Sequence, residues 1–335
     1  MAAMASQQAV QGLCEAEISC CGHEVDLYRH LGSCKKNPGH KMFTPLDKFT
    51  VIDLPASYRD NNIVNLIKAL SDLTVRVDVK YTSFQRPDIC PEHNKPYPCS
   101  NLKGRNTLRN GSGWVWQVKI YSKKIYKSKS CPCHECQGSS NPALTWAVIE
   151  ICTAIHVVYD EIEGEHTTCR FFYDKNDTAI GGLPTVFRAT RVVKDVNGSD
   201  KCTMTFITHN IDFGNMLKNK LRLYKTLHTE VGEKYNSRKQ DSQIEDTEDD
   251  HKLTIIVSHP HGCSKQISIG YYVSRHEMKN NDVYVVYTYT TATCTGSSGA
   301  PVYVLSRWWW WGCDHPHKGH CADNEELNYS GIAMY

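Results

Sequence analysis

The chain has 335 residues, a formal net charge of +2 and 22% charged residues. That length holds two or three domains with a sizeable core, and the near-neutral balance excludes a broadly cationic nucleic-acid or membrane-surface protein. No apolar run approaches the roughly 20 residues of a membrane span.

The first residues, Met1-Ala-Ala-Met-Ala-Ser, lack the basic-then-apolar pattern of a secretory signal. The chain therefore reads as intracellular, cytoplasmic or nuclear. Its sixteen cysteines read as reduced thiols or metal ligands rather than disulfides.

In chain order, residues 1–45 form a Cys/His-bearing module. The run from Cys20 to Cys34 has the shape of a small zinc finger. Cys20-Cys21-Gly22 makes a knuckle, Leu27 faces a core, and His30 and Cys34 lie four apart on one helix face. Cys21, His30 and Cys34 are the candidate structural-zinc ligands, with Cys14 or His23 as the fourth. Free thiols in a tail are the alternative.

Residues 46–110 read as a connecting helix–strand region. Ile63, Leu66, Ile67 and Leu70 predict a helix capped by Asn61 or Asn62, and Val75, Val77 and Val79 predict a strand over Thr74–Tyr81. Residues 85–110 are polar and loop-like. Residues 101–130 hold eight Lys/Arg and no Asp/Glu, interleaved with Trp114, Trp116, Tyr121 and Tyr126. A solvated strand face is the stronger reading of this stretch, and a nucleic-acid face the weaker.

From Gly111 the character turns to short β signals. Strands are expected at Trp114–Tyr121, Leu144–His156, Cys169–Tyr173, Thr185–Val193, Cys202–Thr208, Leu253–Ser258, Gln266–Val273, Asp282–Thr290, Pro301–Leu305 and Ser330–Met334. Such spacing predicts a mainly β barrel or sandwich. One helix is expected at Phe213–Leu227, and residues 235–251 read as a charged loop dividing the β region in two.

Two further Cys/His groups stand in this part. Cys131, Cys133 and Cys136 offer three thiols for zinc with one upstream partner, preceded as they are by Cys90, His93 and Cys99. A plain loop is equally compatible. The run from Cys313 to Cys321 reads as a structural loop. Trp308–Trp311 predicts an exposed aromatic patch.

Cys294-Thr295-Gly296-Ser297-Ser298-Gly299-Ala300-Pro301 sets Ser298 on a glycine turn. Glycines permit unusual backbone angles and let amide groups point at one spot. A serine hydroxyl needs a base, and an imidazole oriented by a carboxylate supplies one near neutral pH. His156 ends the apolar run Ile151–Ile155, and Asp212 follows the strand Cys202–Ile207. The order His156, Asp212, Ser298 differs from the Ser-first, His-last order of α/β-hydrolases. Asp195 and Asp200 are alternative acids in a loop that reads as a hairpin turn.

These motifs resemble the trypsin/chymotrypsin-like serine protease superfamily, and its intracellular and bacterial members in particular. Thr153-Ala154-Ile155-His156 resembles the segment around the family's histidine. Gly296-Ser297-Ser298-Gly299-Ala300-Pro301 resembles that around its serine. Gly111-Ser112-Gly113-Trp114 resembles the opening of the first barrel, and His259-Pro260-His261-Gly262 an early segment of the second. Tyr329-Ser330-Gly331-Ile332 resembles the strand lining the substrate groove.

The resemblance covers roughly residues 111–335 and implies two antiparallel β-barrels with the site between them. It implies an oxyanion hole at the amides of Gly296 and Ser298, substrate contacts at Ala292, Ser330 and Gly331, and a polypeptide substrate. It implies no cofactor for catalysis. No acid stands near Ala292, which argues against Lys/Arg preference. Ser297 replaces the usual acid before the nucleophile, so no activation cleavage of the secreted type is implied. The rivals are a catalytically inactive protease fold used for binding, and a zinc-stabilised nucleic-acid or protein adaptor.

Overall fold

The computed structural model describes residues 12, 14–19, 33–90, 94–126, 128–175, 182–195, 199–241, 253–280, 282–305, 315–331 and 333–334. Cys21, His30, His93 and the Trp308–Trp311 run lie outside them.

Among the described residues the chain folds into two antiparallel sheets of eight strands each. The first holds β1 (Glu17–Ser19), and β2 (Phe43–Pro45) joins the second. The rest of the first sheet is β3 (Thr74–Val79), β4 (Leu108–Ser122), β5 (Thr145–Ala154), β6 (Thr167–Phe171), β7 (Thr185–Phe187), β8 (Arg191–Lys194) and β9 (Lys201–Thr208), in the spatial order β7-β6-β3-β4-β5-β9-β8 with β1 on β4. The second sheet continues with β10 (Leu253–Ser258), β11 (Gln266–Asn280), β12 (Asp282–Tyr289), β13 (Val302–Val304), β14 (His317–His320), β15 (Asn328–Ser330) and β16 (Ala333–Met334). This is the mainly β, two-sheet architecture expected of a chymotrypsin-like fold.

Four α-helices accompany the sheets among the described residues: α1 (Asn61–Leu73), α2 (His134–Gln137), α3 (Glu161–Glu165) and α4 (Ile211–Asp241). In α1 the 3.6-residue spacing buries Ile63, Leu66, Ile67 and Leu70. Its cap is Asp60, whose carboxylate accepts from the Asn62 amide, rather than Asn61 or Asn62. The strand β3 that follows is no connector. Every residue is buried, and it pairs with β4 on one side and β6 on the other.

The helix expected at Phe213–Leu227 runs on to Asp241, so residues 235–241 are helical and not loop. Arg, Lys and Gln there are good helix formers, and Lys234 is anchored to Asp60 at 2.7 Å. The basic stretch also divides. Arg109 is buried on Glu163, Lys103 pairs with Asp88, and Lys119 reaches Glu150 at 4.0 Å.

Candidate active site

Two glycine-bearing motifs and the Thr153–His156 segment interlock. Ser112 of Gly111-Ser112-Gly113 donates its hydroxyl to the Gly296 carbonyl at 2.8 Å, and its amide donates to the Ser298 carbonyl at 2.8 Å. Thr153 in turn donates to the Ser112 carbonyl at 2.7 Å. The flanking glycines allow this approach. A Cβ on Gly111 would stand 2.6 Å from Val157, and one on Gly299 2.2 Å from Thr153 Oγ1. Gly296 and Gly299 also have φ of 89° and 83°, which L side chains rarely adopt. The turn is thus fastened to the end of β5, where His156 begins.

In that turn the amides of Ser297, Gly299 and Ala300 donate to Cys294, His317 and Ser297 carbonyls. Among the described residues, no backbone partner is recorded for the amides of Gly296 and Ser298, the two assigned to an oxyanion hole.

His156 is 1% exposed. Its Nδ1–H donates to Asp200 Oδ2 at 2.5 Å, and its amide donates to Asp200 Oδ1 at 3.1 Å. Strand register explains the pairing. Ala154 lies opposite Lys201 in the β5–β9 ladder, so the next residues along, Ile155 and Asp200, also meet, with Ile155 N–H on the Asp200 carbonyl at 2.8 Å.

Burial acts most strongly on both groups, pulling the imidazole down and pushing the carboxyl up. Their mutual attraction overrides it, so His156 titrates above and Asp200 below its ordinary value.

Asp212 is not the partner of His156. It lies exposed in the first turn of α4, past the far end of β9 from Asp200, where Asn210 Oδ1 caps the Phe213 amide at 2.9 Å. Acids are favoured at that helix end by the dipole alone. Asp195 is exposed in the β8–β9 hairpin.

Ser298 is fully buried, and its hydroxyl donates to the Glu15 carbonyl oxygen at 2.5 Å. His156 Nε2 stands 3.2 Å from the same oxygen. Ser298 and His156 therefore converge on one backbone carbonyl, supplied by the N-terminal segment that crosses the cleft.

The N-terminal segment pairs with β14 rather than with the Tyr329–Ile332 segment. Cys14 bridges antiparallel to Gly319, and the Glu15 amide donates to the Lys318 carbonyl at 3.3 Å. Ser330 and Gly331 are instead held inside the second sheet. The Ser330 hydroxyl donates to the Gly331 carbonyl at 2.9 Å, and the Gly331 amide to Pro316 at 2.7 Å. Ala292 is buried among Phe43, Cys294 and Cys34.

Two Cys/His clusters are assembled as well. His209, directly after β9, brings Nε2 to 3.4 Å, 3.4 Å and 3.5 Å from the sulfurs of Cys131, Cys133 and Cys136. The partner of this Cys trio is downstream, not upstream. Cys34 lies with His40, His261 and Cys294, all ligand atoms within 4.8 Å of one another. Cys21 and His30, expected beside Cys34, fall outside the described residues.

No protein-family model matches the chain, and no curated protein matches it. Among solved structures it is similar to the active form of the Rv3671c protease from M. tuberculosis, at 13% identity over 82% of each chain with a TM-score of 0.38. It is also similar to the HtrA-type protease AlgW with a tripeptide, at 6% identity over 80% of this chain and 58% of that one, TM-score 0.37. Likenesses this distant say nothing about chemistry, and the fold class rests on the two sheets.

Proposed function

We propose that the protein is a serine endopeptidase acting through an acyl-enzyme. Ser298 is the nucleophile and His156 the base and then the acid. Asp200 fixes the imidazole tautomer and stabilises the imidazolium. The amides of Gly296 and Ser298 receive the oxyanion, for which one such donor is worth about 10²–10³ in rate.

The observation that carries this reading is the convergence of Ser298 Oγ and His156 Nε2 on one peptide carbonyl, with Asp200 on the opposite ring nitrogen. A purely binding role gives no reason to keep a buried serine, imidazole and carboxylate in line.

A fluorophosphonate probe tests it. Labelling of the full chain is expected to disappear in Ser298→Ala. Labelling that ignores this substitution, or none in folded protein freed of the segment that covers Ser298, would sink the reading.

The pH profile adds a signed expectation. The base works neutral, and Asp200 holds His156 above its ordinary value. So kcat/KM is expected to climb through a midpoint above about 6.5. The stability from the His156–Asp200 pair runs the other way. The His156 share is complete below about 6.5 and lost as pH rises through its raised value, while the Asp200 share is complete above about 3.9 and lost as pH falls through its lowered one. A flat kcat/KM between pH 6 and 9, at about the precision of a titration, would contradict the assignment of His156 as base.

A further inference from the structure

Residues 12–19 lie in the cleft as a peptide substrate would. Before the Glu15 carbonyl the segment bridges β14, and Tyr329 donates its hydroxyl to the Gly12 carbonyl at 3.1 Å. After it, β1 pairs antiparallel with β4, Glu17 opposite Asn110. The segment therefore spans both sheets, with the Glu15–Ala16 bond at Ser298. Cys14 sits beside His156 and Asp200, with all three side chains within 4.8 Å.

Glu15 is 6% exposed, and its side chain enters a pocket formed by one lysine and two histidines. Lys36 forms an ion pair with it, His317 Nε2 lies 3.5 Å from Oε2, and His320 Nδ1 lies 3.6 Å from Oε1. Each of the first two groups is itself held. Lys36 donates to Thr293 Oγ1 at 2.8 Å and Asn328 Oδ1 at 2.7 Å, and the Tyr289 hydroxyl meets His317 Nδ1 at 2.7 Å. That contact leaves Nε2 turned toward the carboxylate. A buried carboxylate is tolerated only where such partners surround it, and these hold Glu15 well below the usual carboxylate range against its burial.

We propose that this pocket selects glutamate on the carbonyl side of the cleaved bond, and that the chain's own Glu15–Ala16 bond is its first substrate. The proposal rests on the serine endopeptidase reading. The Glu15 carbonyl oxygen now faces Ser298 and His156, so its peptide plane rotates to bring that oxygen to the Gly296 and Ser298 amides. Ser298 Oγ then attacks the carbonyl carbon as its proton passes to His156. The Glu15–Ala16 C–N bond breaks as His156 returns the proton to the Ala16 nitrogen. Water hydrolyses the Glu15 ester, and the cleft is vacated once the released segment leaves.

N-terminal sequencing of the purified full chain is expected to read Ala16, and that of Ser298→Ala to read the original terminus. On a peptide library, cleavage should follow Glu at least a hundredfold faster than Gln, because a partly buried Lys36 charge left without its carboxylate penalises the amide. Lys36→Met should erase most of that preference, and His320→Ala serves if the first variant folds poorly. Ser298-dependent cleavage after residues other than Glu would overturn the pocket assignment while leaving the peptidase reading intact. No Ser298-dependent cleavage of any peptide would overturn both. An active enzyme that retains residues 1–15 would overturn self-cleavage.

A separate observation concerns the two Cys/His clusters. A tetrahedral zinc with Zn–S of about 2.3 Å and Zn–N of about 2.05 Å sets S···N edges near 3.6 Å, S···S edges near 3.8 Å and N···N edges near 3.3 Å. The His209 contacts of 3.4–3.5 Å to three sulfurs match the first. One ring nitrogen carries a single proton or a single lone pair, so hydrogen bonding does not account for three equal sulfur contacts.

In the second cluster, Cys34 and Cys294 sulfurs are 3.6 Å apart, and His40 and His261 Nε2 atoms 3.2 Å apart. Glu17 Oε2 lies 3.0 Å from His261 Nδ1, the outer contact that orients a metal-bound imidazole. We infer that Cys131/Cys133/Cys136/His209 and Cys34/His40/His261/Cys294 are two structural zinc sites. The second would tie the N-terminal module to the loop entering the Ser298 turn.

Elemental analysis of the full chain is expected to give at least two zinc ions. His209→Ala and His40→Ala should each lose one. Cobalt exchanged into the wild type should show tetrahedral thiolate absorption bands, a readout that survives poor folding of either variant. Folded wild type without bound zinc or cobalt would overturn both sites, and unchanged metal content in one variant would overturn that one.

Discussion

Replacing Asp200 with asparagine is expected to lower kcat about 10⁴-fold, the scale known for removing the orienting carboxylate from a serine–histidine pair. Asp212→Asn should leave kcat within about twofold, as an exposed surface substitution does. The contrast follows from position. The Asp200 carboxylate takes both the Nδ1–H and the amide N–H of His156. An asparagine keeps the shape but turns the ring to the wrong tautomer, placing a hydrogen on Nε2 where a lone pair must receive the serine proton. Asp212 stands exposed at the start of α4 and touches none of this. Single-turnover rates on a glutamyl peptide, with circular dichroism to confirm folding, check both variants. Equal losses in the two would remove Asp200 from the mechanism.

The sequence carried the parts of the site that are local. Gly111-Ser112-Gly113 and Gly296–Gly299 are legible because each encodes a backbone demand, a close approach or a positive φ, and His156 because it ends an apolar run. The carboxylate partner of His156 is not local. It depends on the β5–β9 register, which sets Asp200 opposite Ile155 and sends Asp212 beyond the far end of β9.

The same holds for β14. His317-Lys-Gly-His320 has no alternation and reads as a loop, yet pairing with β15 makes it a strand. The pocket cation was further hidden, because Lys36 lies 262 positions before Ser298 and reaches the pocket only after the N-terminal module docks on the second sheet. The CxCxxC thiols pointed to metal, but their fourth partner, His209, is fixed by where β9 ends.

The second large effect concerns Glu163, which no motif marked. It is fully buried in α3 and accepts from Arg86 Nε at 2.6 Å, Arg86 Nη2 at 2.7 Å and Arg109 Nη2 at 2.8 Å. It also accepts from the Ser83 and Tyr159 amides at 2.9 Å each. Arg86 passes the order on, donating to the His156 carbonyl at 3.0 Å and the Val157 carbonyl at 3.2 Å. The turn bearing His156 is thus gripped from behind by Arg86, whose charge Glu163 neutralises.

Glu163→Ala leaves two buried guanidinium groups without their anion, so a loss of about 3–5 kcal/mol in unfolding free energy is expected by urea titration. The effect should also appear in kcat, since a turn that shifts by about 1 Å costs on the order of 10²-fold. Arg86→Met made in the Glu163→Ala background should cost far less than in the wild type, because the charge it removes is by then already unpaired. Additive losses would mean that the two residues act separately, and that the hold on His156 comes from the β5–β9 ladder alone.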